Sequence, residues 1–598
     1  MCGIAGILSK KNENVVPMIE CMLSSMSSRG PDGAGVCANK HVIRADILED
    51  LRFDELSGKS ALGHLRLAIV GGTCGQQPFC SCNGRFIVEH NGEIYNYKKI
   101  RNKLEKSHSF VTQSDSEVIV HLLEEYSNNN NDLLHAIKKT VSQLDGVYAI
   151  VIKDEETGSI ALVRDIMGVR QIYYGENDNL IAFASERKAL WKVGLKEPTQ
   201  RVMPGQAVVI LPNGEIQKYI VTNSPVRPTK IAYKTLSLAV RKYQQALIAS
   251  MKKRTQDFSR VGIIFSGGID SVIIAWLAKK MVPEVICYTG GVSGSNDIAF
   301  ARHVAKRLDL KLRVNELSPE EVEQMLPEVI DTIENNNAGQ VEVAIPVYAA
   351  VKLAHEDGIN VMFSGQGADE LFGGYPWYAK VVEIEGYQKL RHHMDQDLLL
   401  LYSETLERED KITMAHSIEM REPFLDINLI KLSMQIDLKL NVKGGSDKLG
   451  KHVHRKLAQK LGISKGIAYR IKEAAQHGSG MHEIFDSIAK KHGFDEFTVS
   501  RDYLEVLKLR EKIGSSQRYG YLFENEKMWI AEPHVQMYLD SISKALPTFE
   551  HSILKVKSKP RNVEVDVSIF VYHPHRKLYY TAIIAIVLNS GPFLKRFG

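Results

Sequence analysis

Ser266-Gly267-Gly268-Ile269-Asp270-Ser271 places two adjacent glycines, two hydroxyls and a carboxylate within six positions. Such a turn can grip phosphate. Glycine reaches positive φ without a Cβ penalty, so successive backbone N–H groups can converge on an anion, and a following helix adds its positive end. Asp270 offers the carboxylate that a hard cation bridging phosphates requires. No Lys follows the glycines, so the loop is not the G-x-x-x-x-G-K-[ST] type that holds a γ-phosphate for transfer. The second chemically suggestive residue is Cys2. Once Met1 is removed it carries both a thiol and a free α-amine, whose ordinary pKa of about 7.7–8.0 suits a general base near neutrality.

The elements that must position these residues follow from periodicity. Residues 261–265 are a short β-branched run suited to a buried parallel strand, and Val272, Ile273, Trp276 and Leu277 recur at helical spacing. Beyond them strand-like runs at 285–289, 312–315 and 360–363 alternate with helix-like runs at 297–308, 319–333 and 345–355. This predicts a parallel sheet covered by helices on both faces, with ligands beyond the carboxyl ends of the strands. Gly290-Gly291-Val292-Ser293-Gly294-Ser295 reads as a loop after the second strand. The first 210 residues instead show short alternating strands between frequent turns, with helices expected over 16–26 and 116–126. Residues 63–70 read as a strand projecting Arg66, and Asn91-Gly92 reads as a hairpin turn. Residues 223–231, containing Pro225 and Pro228, read as a linker, and 234–253 as the leading helix of a second domain.

With 598 residues, 44% of them hydrophobic, the chain can fill two to four domains. No apolar run approaches the roughly 18–20 residues needed to span a bilayer, and the start does not read as a signal peptide. Seven cysteines scattered over this length suggest a reducing, cytoplasmic setting. Cys74, Cys80 and Cys82 match no strong zinc spacing and read as ordinary thiols. The net charge is +5, but residues 551–598 hold eight basic against two acidic side chains, so the rest is near neutral and not a nucleic-acid surface. That tail alternates at 563–567 and is apolar at 579–588, which suggests a few strands.

Several segments carry a resemblance. Cys2 to Ile7, Arg29-Gly30-Pro31-Asp32-Gly33, Gly63 to Val70, Asn91-Gly92-Glu93-Ile94-Tyr95-Asn96, Ser114-Asp115-Ser116-Glu117, Leu144-Asp145-Gly146 and Arg164-Asp165 occur in an order that resembles the class II glutamine amidotransferase domain. The resemblance implies an αββα sandwich of antiparallel sheets of the N-terminal nucleophile type, with Cys2 as nucleophile and Asn91 and Gly92 as oxyanion donors. Glutamine would be held by Arg66, Leu67, Ile69, Asn91, Gly92, Glu93 and Asp115. Arg66 suits the substrate carboxylate as a bidentate fork, and Glu93 and Asp115 suit its ammonium group.

The Ser266–Ser271 loop resembles the SGGxDS pyrophosphate loop of ATP pyrophosphatases. Ser364-Gly365-Gln366-Gly367-Ala368-Asp369-Glu370-Leu371-Phe372-Gly373-Gly374-Tyr375 and residues 414–426 resemble the SGxGxDExFGGY and MAHSLExRxPFLD stretches of glutamine-hydrolysing asparagine synthetases. That family implies an adenine-nucleotide alpha-hydrolase-like α/β domain binding ATP through Phe265, Ser266, Gly267, Gly268, Asp270, Ser271, Gly290, Ser364 and Gly365. Asp270 and Asp369 would hold Mg2+, and Lys472 would balance charge at the α-phosphorus. Gln366 stands where many members carry Glu, and it cannot act as a base. The expected organisation is a multidomain α/β and α+β chain: a glutaminase domain over 1–210, a linker over 211–230, a synthetase domain over 231–545 and a basic extension over 546–598. The implied reaction amidates aspartate through an acyl-adenylate with ammonia from glutamine. Glutamine, aspartate and ATP would be the partners, with no nucleic acid or membrane, and a homodimer is left open. Two alternatives stand beside it: an amidating or ring-forming ligase acting on another acid, and a non-catalytic glutamine- or nucleotide-binding relative.

Overall fold

The computed structural model describes residues 1–72, 74–127, 132–195, 199–227, 229–471, 475–504, 532–546, 564–571 and 580–587. Gly3–Ser9, a buried run of small and apolar residues, is the central strand of a seven-stranded sheet. It pairs antiparallel with Ser60–Leu65 on one side and Leu180–Ala184 on the other. A Cβ at Gly6 would lie 2.0 Å from the Phe183 ring, so glycine there lets the ring lie flat on the strand. A second, six-stranded antiparallel sheet has Gly146–Asp154 and Phe86–Ile94 as neighbours and ends in the Gln206–Ile210 and Ile216–Ile220 hairpin. Ile4, Leu62, Ile87, Val151, Leu162 and Phe183 fill the space between the two sheets. Helices Val16–Ser24 and Arg187–Lys192 cover the outer face of the first sheet, and Glu117–Ser127 and Leu133–Gln143 that of the second. This is the αββα sandwich, and its last strand runs ten residues beyond position 210.

The second unit is built on a five-stranded parallel sheet in the order Lys311–Leu317, Glu284–Val292, Arg260–Ile264, Val361–Phe363, Glu419–Arg421. The chain leaves Arg260–Ile264 toward one edge and returns to its other side. The strand preceding the Ser266–Ser271 loop is therefore the point where strand order reverses, the crevice in which such sheets take ligands. Helices Leu236–Thr255 and Ile269–Ala278 pack on one face, and Pro319–Ile333 and Ala338–Glu356 on the other. In the tail, Glu564–Val571 and Tyr580–Val587 form a two-stranded antiparallel ribbon.

Three readings change. Asn91-Gly92 is not a hairpin turn but lies inside the nine-residue Phe86–Ile94 strand. A Cβ at Gly92 would meet the Val147 carbonyl oxygen at 2.0 Å, so glycine is required by the tight approach of the neighbouring strand. Gly290 is not in a loop either: the strand continues to Val292. A Cβ at Gly290 would lie 2.4 Å from the Pro346 carbonyl, which identifies it as the place where the Ala338–Glu356 helix presses onto the sheet. The strand before Arg66 stops at Leu65, leaving Arg66 just past its end.

Candidate active site

Cys2 immediately precedes the central strand of the first sheet and is buried. Its backbone nitrogen, which becomes the α-amine when Met1 is removed, donates to Asn91 Oδ1 at 2.9 Å. Because Oδ1 is turned toward Cys2, the Asn91 amide NH2 faces the other way. That Nδ2 is buried and has no hydrogen-bond partner among the described residues. A buried, unspent amide donor on the side chain that holds the Cys2 nitrogen is a group an oxyanion can use. Burial pushes the Cys2 thiol pKa up; the Met1 amine, a Leu67 backbone hydrogen bond and Arg66 pull it down, and Asp115 pushes it up.

Arg66 donates through Nη2 to the Val70 carbonyl at 3.2 Å, while Nη1 is buried and unpartnered among the described residues. The guanidinium is thus half committed to its own loop and half available to an anion. Asp115 accepts from the Ile94 N–H at 2.8 Å, and burial raises its pKa to about 6. Ile69 is half-buried against the Met1, Leu67 and Met414 cluster. Glu93 is placed differently from its neighbours: its Oε2 accepts from Arg421 Nη2 at 2.9 Å, so its carboxylate is engaged by the other half of the chain.

The nucleotide-type loops meet at the carboxyl ends of the parallel strands. Phe265 closes its strand with an N–H to the Tyr288 carbonyl at 2.8 Å; Ser266 Oγ accepts from the Gly268 N–H, and Ser271 Oγ donates to the Gly268 carbonyl. Gly267 has φ +71°, the conformation its role in the turn requires. Gly365 packs so closely on this loop that a Cβ would lie 2.9 Å from the Asp270 Cβ. Asp270 and Asp369, nearly a hundred positions apart, converge on one cation: Lys451 Nζ lies 2.7 Å from Asp270 Oδ1 and 2.8 Å from Asp369 Oδ1. His454 Nε2 is 3.1 Å from the same Asp270 oxygen. A Cβ at Gly374 would overlap Asp369 Oδ1, so this glycine makes room for the carboxylate. Ser364 is buried, and its N–H donates to the Arg421 carbonyl at 3.0 Å.

Gln366 donates through Nε2 to Glu409, a buried carboxylate whose pKa is raised by burial. Lys472 lies outside the described residues. Arg455 donates to the carbonyls of Ala468 at 2.7 Å and Arg470 at 3.0 Å. Gly290, expected among the nucleotide contacts, lies within its strand against the Ala338–Glu356 helix.

Two residues here escaped sequence reading. Lys451 falls inside the 448–456 run, whose order resembles the family's, and nothing in the sequence distinguishes it there from Lys448 or Lys456. Arg29 read only as part of a turn, yet it is fully buried and donates to the Cys2 carbonyl at 3.1 Å, to Glu186 at 2.8 Å and to Asp410 at 2.9 Å. Among the described residues no helix is long and apolar enough to cross a membrane.

Residues 50–218 match the glutamine amidotransferase domain family, and residues 242–384 and 380–540 match asparagine synthase. A putative glutamine-hydrolysing asparagine synthetase of Methanocaldococcus jannaschii is 34% identical over 550 residues, covering 85% of this chain and 99% of the relative. A glutamine-hydrolysing asparagine synthetase of Arabidopsis thaliana is 28% identical over 510 residues, covering 80% and 78%. Among solved structures, the glutamine phosphoribosylpyrophosphate amidotransferase of B. subtilis complexed with ADP and GMP is 22% identical. That match covers 49% of this chain and 67% of that one, with a TM-score of 0.33. With both halves matched and near-complete coverage of a relative at that identity, the chain belongs to the asparagine synthetase family.

Proposed function

We propose that this protein makes asparagine from aspartate and ATP, using ammonia released from glutamine. The observation that carries the reading is that one chain presents a buried thiol with its nitrogen on Asn91 and, separately, two carboxylates converging beside a glycine loop. Cys2 attacks the glutamine amide carbon, and its α-amine takes the thiol proton and delivers it to the departing nitrogen. Asn91 Nδ2 and the Gly92 N–H hold the oxyanion of the tetrahedral intermediate. Arg66 Nη1 takes the glutamine carboxylate and Asp115 the ammonium group. Leu67, Ile69 and the Glu93 backbone line the remainder, since the Glu93 carboxylate is held by Arg421. Water then releases glutamate from the thioester.

In the second half, an aspartate side-chain oxygen attacks the α-phosphorus, pyrophosphate leaves, and ammonia displaces AMP from the acyl carbon. We assign the outer phosphates to the Ser266–Ser271 loop and the nucleotide to Phe265, Ser364 and Gly365. The carboxylates of Asp270 and Asp369, which share a cation in Lys451, are the donor set a divalent ion takes, and we assign Mg2+ to them. Bound there, Mg2+ would neutralise phosphate charge as pyrophosphate departs. Lys451 and, beyond the described residues, Lys472 are our choices for the ammonium groups that steady charge at phosphorus. Gln366 cannot move a proton, so any proton accepted at the adenylate falls to Glu409 beside it. Leu67 and Met414, which meet between the halves and remain when Met1 is removed, support an apolar, water-poor route that keeps ammonia neutral. We set the glutaminase boundary near residue 220, where its sheet ends, and a cytoplasmic location on seven free cysteines.

Mass spectrometry of products from glutamine, aspartate and Mg-ATP tests the proposal. Asparagine, AMP and glutamate appear together from the parent, and Cys2→Ala makes asparagine only when ammonia is supplied. AMP release with another acid in place of aspartate, or equal glutamate release by parent and Cys2→Ala, would overturn it.

A further inference from the structure

Four side chains that this reaction does not use meet on the outer side of the glutaminase domain. Cys82 follows the Phe79–Cys80 strand, His108 lies in the loop after the Tyr97–Leu104 helix, and His121 and Glu124 share one face of the Glu117–Ser127 helix. One ligand-type atom from each lies within 4.8 Å of the others. Cys82 Sγ is 3.7 Å from His121 Nδ1. Glu124 Oε2 is 3.2 Å from His108 Nδ1 and 3.7 Å from His121 Nδ1.

We propose that Cys82, His108, His121 and Glu124 form a structural site for one zinc ion. A tetrahedral zinc with Zn–S near 2.3 Å and Zn–N and Zn–O near 2.05 Å separates a sulfur from a nitrogen by about 3.6 Å and a nitrogen from an oxygen by about 3.4 Å. The spacings in the protein already approach those values. Thiolate and carboxylate together offset the ion's double charge, and a thiolate with two imidazoles favours zinc over the oxygen-seeking Mg2+ and Ca2+.

The surroundings are those of a ligand set. Each histidine turns its other nitrogen toward a carboxylate: His108 Nε2 lies 3.2 Å from Glu125, and His121 Nε2, buried and without a hydrogen bond among the described residues, lies 3.7 Å from Glu117. Glu124 is steadied by the backbone N–H groups of Cys82 at 3.0 Å and Asn83 at 2.9 Å. Outer partners of this kind fix ring orientation and raise ligand basicity. The thiol that takes part is Cys82 alone of the three near it in sequence; Cys74 and Cys80 are outside the four.

The site has a consequence for the proposed glutaminase. His108 and His121 bracket Ser114-Asp115-Ser116, and Glu117 also accepts from the Val111 and Thr112 N–H groups at 2.7 and 2.9 Å. An ion joining both ends of this segment would pin the loop that presents Asp115 beside Ile94.

The test uses the full-length protein. After dialysis against a weak chelator, elemental analysis should find about one zinc per chain, and Cys82→Ser should lose it while Cys74→Ser and Cys80→Ser retain it. Replacing zinc by Co2+ should give a thiolate-to-cobalt charge-transfer band in the parent. Glu117→Gln, outside the ligand set, should weaken zinc by about 10–100-fold. Metal content well below one per chain, cobalt binding without the thiolate band, or zinc retained by Cys82→Ser would overturn the proposal. Should Cys82→Ser fail to fold, the parent's cobalt spectrum and the Glu117→Gln affinity decide alone. None of these readouts depends on asparagine synthesis, so the site and the proposed reaction fail separately. A raised KM for glutamine in the zinc-free protein would follow only if both hold.

Discussion

Replacing Asn91 by Ala removes two functions at once: the acceptor for the Cys2 nitrogen at 2.9 Å and the one buried amide donor left without a partner there among the described residues. Asn91→Asp separates them. The isosteric carboxylate still accepts from the nitrogen but has no N–H for the oxyanion. Loss of one preorganised oxyanion donor costs about 2.7–4 kcal/mol of transition-state stabilisation, or about 100–1,000-fold in kcat. A negative charge where negative charge develops drives Asn91→Asp to the upper part of that range or beyond. Glutamate release from glutamine should therefore fall by at least about 100-fold in both variants, with KM changed far less, because ground-state glutamine does not use the donor. AMP formation with ammonium chloride in place of glutamine should stay within about threefold of the parent. An equal fall in the ammonia-dependent reaction would mean that the substitution acts through the fold, and glutaminase activity within about threefold of the parent would end the assignment of Asn91.

Three further outcomes follow from the same geometry. Burial raises Asp115 to about 6, so its carboxylate is charged above that pH and neutral below it; kcat/KM for glutamine should fall as pH drops through about 6, and Asp115→Asn should erase that limb of the profile. Lys451→Met leaves the carboxylates of Asp270 and Asp369 without their shared cation, a loss of about 3 kcal/mol for a largely buried group. Its melting temperature should drop in metal-free buffer and recover with added Mg2+, whereas an Mg2+-insensitive drop would count against a metal at these carboxylates. The Glu93 and Arg421 side chains pair at 2.9 Å with both buried, so Glu93→Gln and Arg421→Met should be non-additive by about 1–3 kcal/mol in a denaturation cycle. Additive values would show that the contact does not join the two halves energetically.

What could be read in the sequence was what depends on neighbouring residues. The Gly267-Gly268 turn, its strand and its helix are set by a dozen consecutive positions, and the Pro319–Ile333 helix lies where its periodicity put it. Asn91-Gly92 misled because the dipeptide is the strongest local sign of a hairpin turn, while the reason for glycine is the Val147 carbonyl from another strand. Gly290 misled in the same way, its cause being a helix some fifty residues later. Lys451 and Arg29 carried no local signal, since each acquires meaning only from carboxylates brought to it by the fold. The cluster around Cys82 escaped for a related reason: its ligands come from three elements, and spacing rules for zinc presume ligands paired along the chain.

The same dependence on distant partners explains why the contact between the halves is charged. Arg29, Arg164, Arg170 and Arg201 of the first unit meet Glu407 and Asp410 of the second, and the Tyr173 hydroxyl and Gln171 Nε2 donate to the same two carboxylates. An apolar surface of equal area would hold as well, because buried ion pairs often contribute little net stability. It would also tolerate sliding, since apolar contacts are not directional. A buried arginine with fixed hydrogen-bond directions does not, because a displaced pair leaves charge unmatched. Arg29 holds the Cys2 carbonyl and Asp410 in one grip, and Arg421 holds Glu93 through its side chain while its carbonyl takes the Ser364 N–H. Two arginines thus tie the Cys2 segment and the Ser364 segment into one registered geometry, which is what two reactions sharing a neutral, short-lived nucleophile require.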